Sequence, residues 1–142
     1  MWDSLLGRRV PKEKLELTLD QEHGHINLLV FALELKMQNG APLLEQLFAF
    51  RTLEGFLRAN CVAEEAIMDE CSFPLSKTHK LEHRSHYRSL DDLSRKINAA
   101  MAREASAALI ALHQALLAHI RDKDQEVADW KRRQMDGLKD SA

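Results

Sequence analysis

Helix-breaking residues are rare in this chain and lie far apart. Proline occurs at 11, 42 and 74, and glycine at 7, 24, 40, 55 and 137, so residues 75–136 contain neither. Strand signals are equally scarce. β-Branched residues are few, and no Asn-Gly turn separates two alternating runs. Asn39-Gly40 reads as a helix stop and Pro42 as the start of the next helix. Ser72-Phe73-Pro74 is a second break, with Ser76 as a candidate N-cap. Apolar residues then recur at helical spacing: Ile26, Leu29, Val30 and Leu33; Leu43, Leu47, Phe50, Leu53, Leu57 and Ile67; Leu81, Leu90, Leu93 and Ile97; Leu109, Leu112, Leu116 and Ile120. Helices are expected near 18–38, 42–70, 76–98 and 103–134. The third boundary, between Ala99 and Ser106, carries no glycine or proline to mark it. Four helices with short connections predict an all-α fold, an antiparallel up-down four-helix bundle.

Composition narrows the function. A chain of 142 residues and 16.3 kDa suits one domain, 1–142. The net charge of −2 lacks the broad positive field of a nucleic-acid binder, so no nucleic-acid partner is expected. Apolar runs such as 28–33 are far shorter than the roughly 20 residues that span a bilayer, and no membrane association is expected. Residues 1–14 carry charges and lack an apolar signal core. Cys61 and Cys71 are too few for a disulfide scaffold, which fits a reducing, cytoplasmic location.

Seven histidines stand out against one tyrosine. His79 and His83 are four apart and share a helix face. His119 interrupts an apolar stretch and is followed by Asp122 and Asp124. Glu64 and Glu65 follow the apolar face of the second helix, and His23 lies on the first. Each helix thus offers an inward polar group, and a bundle core cannot bury several of these unpaired. Imidazoles and carboxylates converging in one bundle suit a pair of iron-type ions. His79-Lys80-Leu81-Glu82-His83 also matches the inverted zinc-protease motif H-x-x-E-H, with Glu82 as general base. Those proteases resemble larger α/β domains, and this chain shows no strands. The E-x-x-H motif of ferritin-like di-iron proteins is absent.

In order, Asp20-Gln21-Glu22-His23, Glu64-Glu65-Ala66-Ile67-Met68 with Cys71-Ser72-Phe73-Pro74, His79-x-x-x-His83 and His119-x-x-x-x-Asp124 resemble the motifs of the hemerythrin family, specifically bacterial hemerythrin-like domains. The resemblance covers roughly residues 18–130. It implies two iron ions bridged by oxo, hydroxo or water, with O2 as ligand. It implies that His79, His83 and His119 bind one iron, that Glu64 and Asp124 bridge, and that His23 binds the second. The family places a histidine four residues before the bridging glutamate; here that position is Asn60, a weak oxygen ligand or a vacant position. The family's phenylalanine is replaced by Cys61, which opens a pocket expected to include Ile26, Leu116 and Ile120. His119 and Asp124 are about 140° apart on an ideal helix, so Asp122, three residues on, is the geometric alternative unless the helix is locally distorted. His86 and His113 are expected on the outer face or behind the ligands, and Glu82 in solvent or accepting from an imidazole.

The expected function is therefore O2 binding at a His/carboxylate di-iron site with oxygen or redox sensing. The ligand is O2 or another small diatomic or anionic molecule. The alternatives are oxygen or iron storage and transport, or an enzyme acting on peroxide or nitric oxide. The helix continuing through Trp130-Lys131-Arg132-Arg133 either connects to a C-terminal signalling output domain or ends as a basic terminus.

Overall fold

The computed structural model describes residues 15–140; the charged stretch 1–14 lies outside them. Those described form α1 (Leu15–Gln38), α2 (Leu43–Glu70), α3 (Ser76–Asn98) and α4 (Ala102–His119). After α4 the chain makes a π-helical turn, Ile120–Asp124, and continues directly as α5 (Gln125–Asp140). Among the described residues there is no strand, and no helix is long and apolar enough to cross a membrane. α1 packs on α2, α2 on α3, α3 on α4 and α4 back on α1, closing a four-helix bundle.

Three helix ends show how the chain turns. Gly40 takes a left-handed φ of 61°, and Ala41 N–H reaches back to the Lys36 carbonyl at 3.0 Å. Ser72 (φ 54°) and Ala100 (φ 55°) adopt the same conformation without being glycine. Phe73 N–H donates to Met68 O at 2.9 Å and Met101 N–H to Lys96 O at 3.0 Å, so each repeats the glycine-type helix stop. This explains why the boundary after α3 carries no glycine. A left-handed alanine costs about 1–2 kcal/mol, against about 0.4–1 kcal/mol for glycine's extra freedom in the unfolded chain. Ala100→Gly is therefore expected to stabilise the fold by about 0.5–1 kcal/mol, read as a rise in the urea midpoint; a lower midpoint would show that the αL alanine carries no strain.

The core is layered along the bundle. Ile26, Val30 and Leu33 of α1, Phe50, Leu53 and Leu57 of α2, Leu90, Leu93 and Ile97 of α3 and Leu109, Leu112 and Leu116 of α4 form one buried apolar cluster. Each such side chain contributes roughly 1.5–3 kcal/mol through burial. A smaller cluster joins Met68, Phe73 and Val127, flanked by Trp130, whose indole N–H donates to the Cys71 carbonyl at 2.9 Å. The inward positions between these clusters are polar. On α2 they are Asn60 and Glu64, between Leu57 and Met68. On α3 they are His79, His83 and His86, one turn before Leu90. On the fourth run Asp124 lies between Ile120 and Val127. The fold thus sandwiches a polar layer between two apolar ones.

Candidate metal centre

Glu64, His79, His83, His119 and Asp124 each present one ligand-type atom, and these atoms all lie within 4.8 Å of one another. The four residues other than Glu64 are buried, and the Glu64 side chain is only 15% exposed. His79 and His83 come from successive turns of α3. His119 closes α4. Asp124 reaches the same point through the π turn, whose i→i+5 bonding places residues five apart on one face. Asp122 points away, exposed and paired with Arg121 at 3.0 and 3.1 Å. The helix distortion, rather than a nearer carboxylate, resolves the spacing between His119 and Asp124.

Glu64 Oε1 touches His79 Nε2 and lies 3.4 Å from His83 Nε2 and 3.8 Å from His119 Nε2. Asp124 Oδ1 lies 3.1 Å from His119 Nε2 and 3.4 Å from His79 Nε2, and the His119 and His79 Nε2 atoms are 3.0 Å apart. Yet Glu64 Oε1 and Asp124 Oδ1 have no hydrogen-bond partner with acceptable angles. Carboxylate oxygens this close to imidazole nitrogens without bonding to them converge on a shared point. First-row ions hold imidazole nitrogens at about 2.0–2.1 Å, which separates neighbouring donors by about 3 Å around a six-coordinate ion. The spacings of 3.0 to 3.4 Å fit that arrangement.

Two imidazoles are oriented from behind. His119 Nδ1 is 2.7 Å from Glu82 Oε2 and His83 Nδ1 is 3.3 Å from Glu65 Oε2. A proton held on Nδ1 by a carboxylate leaves the Nε2 lone pair facing inward once the ring is neutral. Glu82 thus serves as an imidazole acceptor, one of the two roles open to it from sequence. Imidazole nitrogen with carboxylate oxygen is a donor set for first-row transition ions, and both cysteines are free thiols outside the five.

The electrostatics describe a cluster that holds protons where it could hold a cation. Burial would lower His79, but the carboxylates of Asp124 and Glu64 outweigh it and carry the ring up to about 9. Burial likewise opposes His119, which Asp124, Glu64 and Glu82 raise to about 10. His83 rises to about 9 against burial through Cys61 and Glu64. Burial would raise Glu64, but His119, His79 and His83 hold it far below the usual carboxylate range. His86 falls to about 4 through burial and the neighbouring His119 and His83. Raised imidazole pKa values mean that protonation favours the metal-free fold. That contribution is complete below about pH 6.5 and is lost as the pH climbs through 9 to 10. The melting temperature of the metal-free chain is therefore expected to fall between pH 7 and 10 in chelator. A flat profile over that range would contradict the assignment.

A cavity of about 30 Å³ adjoins the cluster, enough for a water or a diatomic molecule. Ile26, Cys61, Leu116 and Ile120 line it, together with Asn60, Leu57 and His86. The Asn60 amide nitrogen is buried without a partner. His23 belongs neither to the five nor to the cavity lining; it is half-buried on α1, and the residue before it, Glu22, lines the cavity instead. Burial, then Asp124 and Glu64, push Glu22 up to about 7. His86 is buried against His119, with ring centres 4.9 Å apart, closer to the site than an outer-face position would allow. His113 bonds Asn27 at 2.7 Å, and His25 packs on Phe56 at 4.3 Å, both away from the cluster. Sequence reasoning missed Glu22. It sits four residues before Ile26 and so extends the buried row of α1 by one turn.

The chain matches no protein-family model, no curated protein and no solved structure.

Proposed function

We propose that this chain is a hemerythrin-like di-iron domain, an antiparallel up-down bundle that binds O2 and reports oxygen or redox state. The observation that carries the reading is the buried convergence of three imidazole nitrogens and two carboxylate oxygens, with two of those imidazoles held from behind by Glu82 and Glu65. His79, His83 and His119 would hold one iron, and Glu64 and Asp124 would bridge to a second. Iron there supplies reversible electron exchange with a small oxidant.

The chain's own residues set the remaining chemistry. Ile26, Leu57, Leu116 and Ile120 give the cavity an apolar wall. Asn60 lines that space and its buried amide nitrogen has no partner, so the side chain can interact with a small ligand or an ion there. His86 is neutral at pH 7 and so can accept or donate one hydrogen bond at the cavity edge. An asparagine where the family has an imidazole weakens retention of the second ion, and that favours sensing over storage.

The test is metal analysis with an optical spectrum after anaerobic reduction and again after air. Two irons per chain and a ferric spectrum that appears with air and vanishes on reduction are expected. Zinc alone, or no metal in a folded chain, would overturn the reading. A spectrum that reverses when O2 is removed and persists for hours in air would favour storage. Turnover of peroxide or nitric oxide would favour an enzyme. Asn60→His is expected to raise retention of the second iron through a desalting column; equal metal content in both forms would count against a weak second position.

A further inference from the structure

We propose that Glu22, and not the adjacent His23, is the α1 ligand to the second cation, at an oxygen-rich position on the cavity side of the cluster formed with Glu64, Asp124 and Asn60. This rests on the metal-binding reading above and names the residue that completes it.

Glu22 lines the cavity with Asn60, Glu64 and Asp124, whereas His23 does not. Among the described residues it is the only carboxylate of that lining outside the five clustered residues, and none of the lining is lysine or arginine. Three carboxylates therefore line a space of about 30 Å³ in which the basic side chains, among the described residues, are the imidazoles of His83, His86 and His119. Asp124 is 5% exposed, and its Oδ1 is buried and accepts no hydrogen bond, as is Glu64 Oε1. Like-charged oxygens turned on one small cavity repel, and burial adds to the cost of charge there. A cation among them removes the repulsion and gives the orphan oxygens a partner. The Asn60 amide can turn its carbonyl end to the ion, because its two ends are nearly isosteric.

The two positions then differ in kind. The first is rich in imidazole nitrogen. The second is built from carboxylate and amide oxygen, which suits harder ions such as Mn2+ and Fe2+ and binds them less tightly than imidazole does.

The experiment loads the full chain anaerobically with Mn2+ or with Fe2+, desalts it, and counts ions per chain by elemental analysis. Thermal melts show that each variant folds. Two ions per wild-type chain, one in Glu22→Gln and two in His23→Gln are expected. The Mn2+-loaded wild type should show the electron paramagnetic resonance of a coupled pair, and Glu22→Gln that of an isolated ion. Glu22→Asp, which keeps the charge, should recover part of the second ion. Two ions in Glu22→Gln, or one in His23→Gln, would overturn the proposal. A wild type that binds one ion would overturn it while leaving the first position standing, and a wild type that binds none would overturn both readings.

Discussion

Asp124→Ala is expected to weaken metal binding by more than about 100-fold, while Asp122→Ala leaves it unchanged. Losing an outer partner of a ligand typically costs about 10–100-fold, and losing the ligand itself should exceed that. Asp124 is buried with Oδ1 at 3.1 Å from His119 Nε2, whereas Asp122 is exposed and paired with Arg121. The difference between the two lies in the π turn, Ile120–Asp124. A regular helix would stack on His119 the residue four positions later, and Asp124 is five positions later. The turn absorbs that one extra residue. Deleting Lys123 should therefore let the segment close as ordinary α-helix with the same aspartate four residues after His119, and metal binding should survive. Competition with a chelator of known affinity measures all three variants. Binding lost in Asp122→Ala and kept in Asp124→Ala would reverse the assignment.

That turn also marks the limit of what the sequence discloses. Breakers at Gly40, Pro42 and Pro74 place three of the helix ends, because those residues change what the backbone can adopt. The end after Asn98 is silent, because Ala100 accepts the left-handed conformation that glycine usually signals. The histidines at 79, 83 and 119 are legible as inward groups, since helical periodicity aligns them with buried leucines. The choice between Asp122 and Asp124 is not legible from an ideal helix, since an ideal helix favours the wrong one. On α1 the ambiguity is finer. At about 100° per residue, Glu22 and His23 flank the buried row of Ile26, Val30 and Leu33 by about 50° on either side. Periodicity cannot choose between them, and a motif-based reading selects the histidine. Packing in three dimensions turns Glu22 toward the cavity. The carboxylates behind the imidazoles are hidden for a different reason. Glu82 is half-exposed and Glu65 sits beside a residue of the cluster, so both resemble solvated charges until α2, α3 and α4 are brought together.

Glu64→Ala should be the most damaging change in the metal-free chain as well as in the loaded one. Its carboxylate faces all three clustered imidazoles and helps to raise their pKa values above the ordinary one. Removing one partner of a buried charge cluster leaves the others under-compensated, at a cost of up to about 3–5 kcal/mol, with Asp124 still beside His79 and His119. The side chain is largely buried, so solvent screens little of that cost. Metal binding should be lost in the same variant. The pH dependence separates this loss from a simple packing defect. Burial opposes charge on each imidazole; Asp124 and Glu64 raise His79 and His119 above their ordinary value, and Cys61 with Glu64 raises His83. Without Glu64 those values move part of the way back down, and the fall in metal-free stability between pH 7 and 10 should be shallower. A packing defect would lower stability equally across that range. Urea unfolding at pH 6 and pH 9, in chelator, gives both quantities. An unchanged pH slope with unchanged metal content would remove Glu64 from the centre of the cluster.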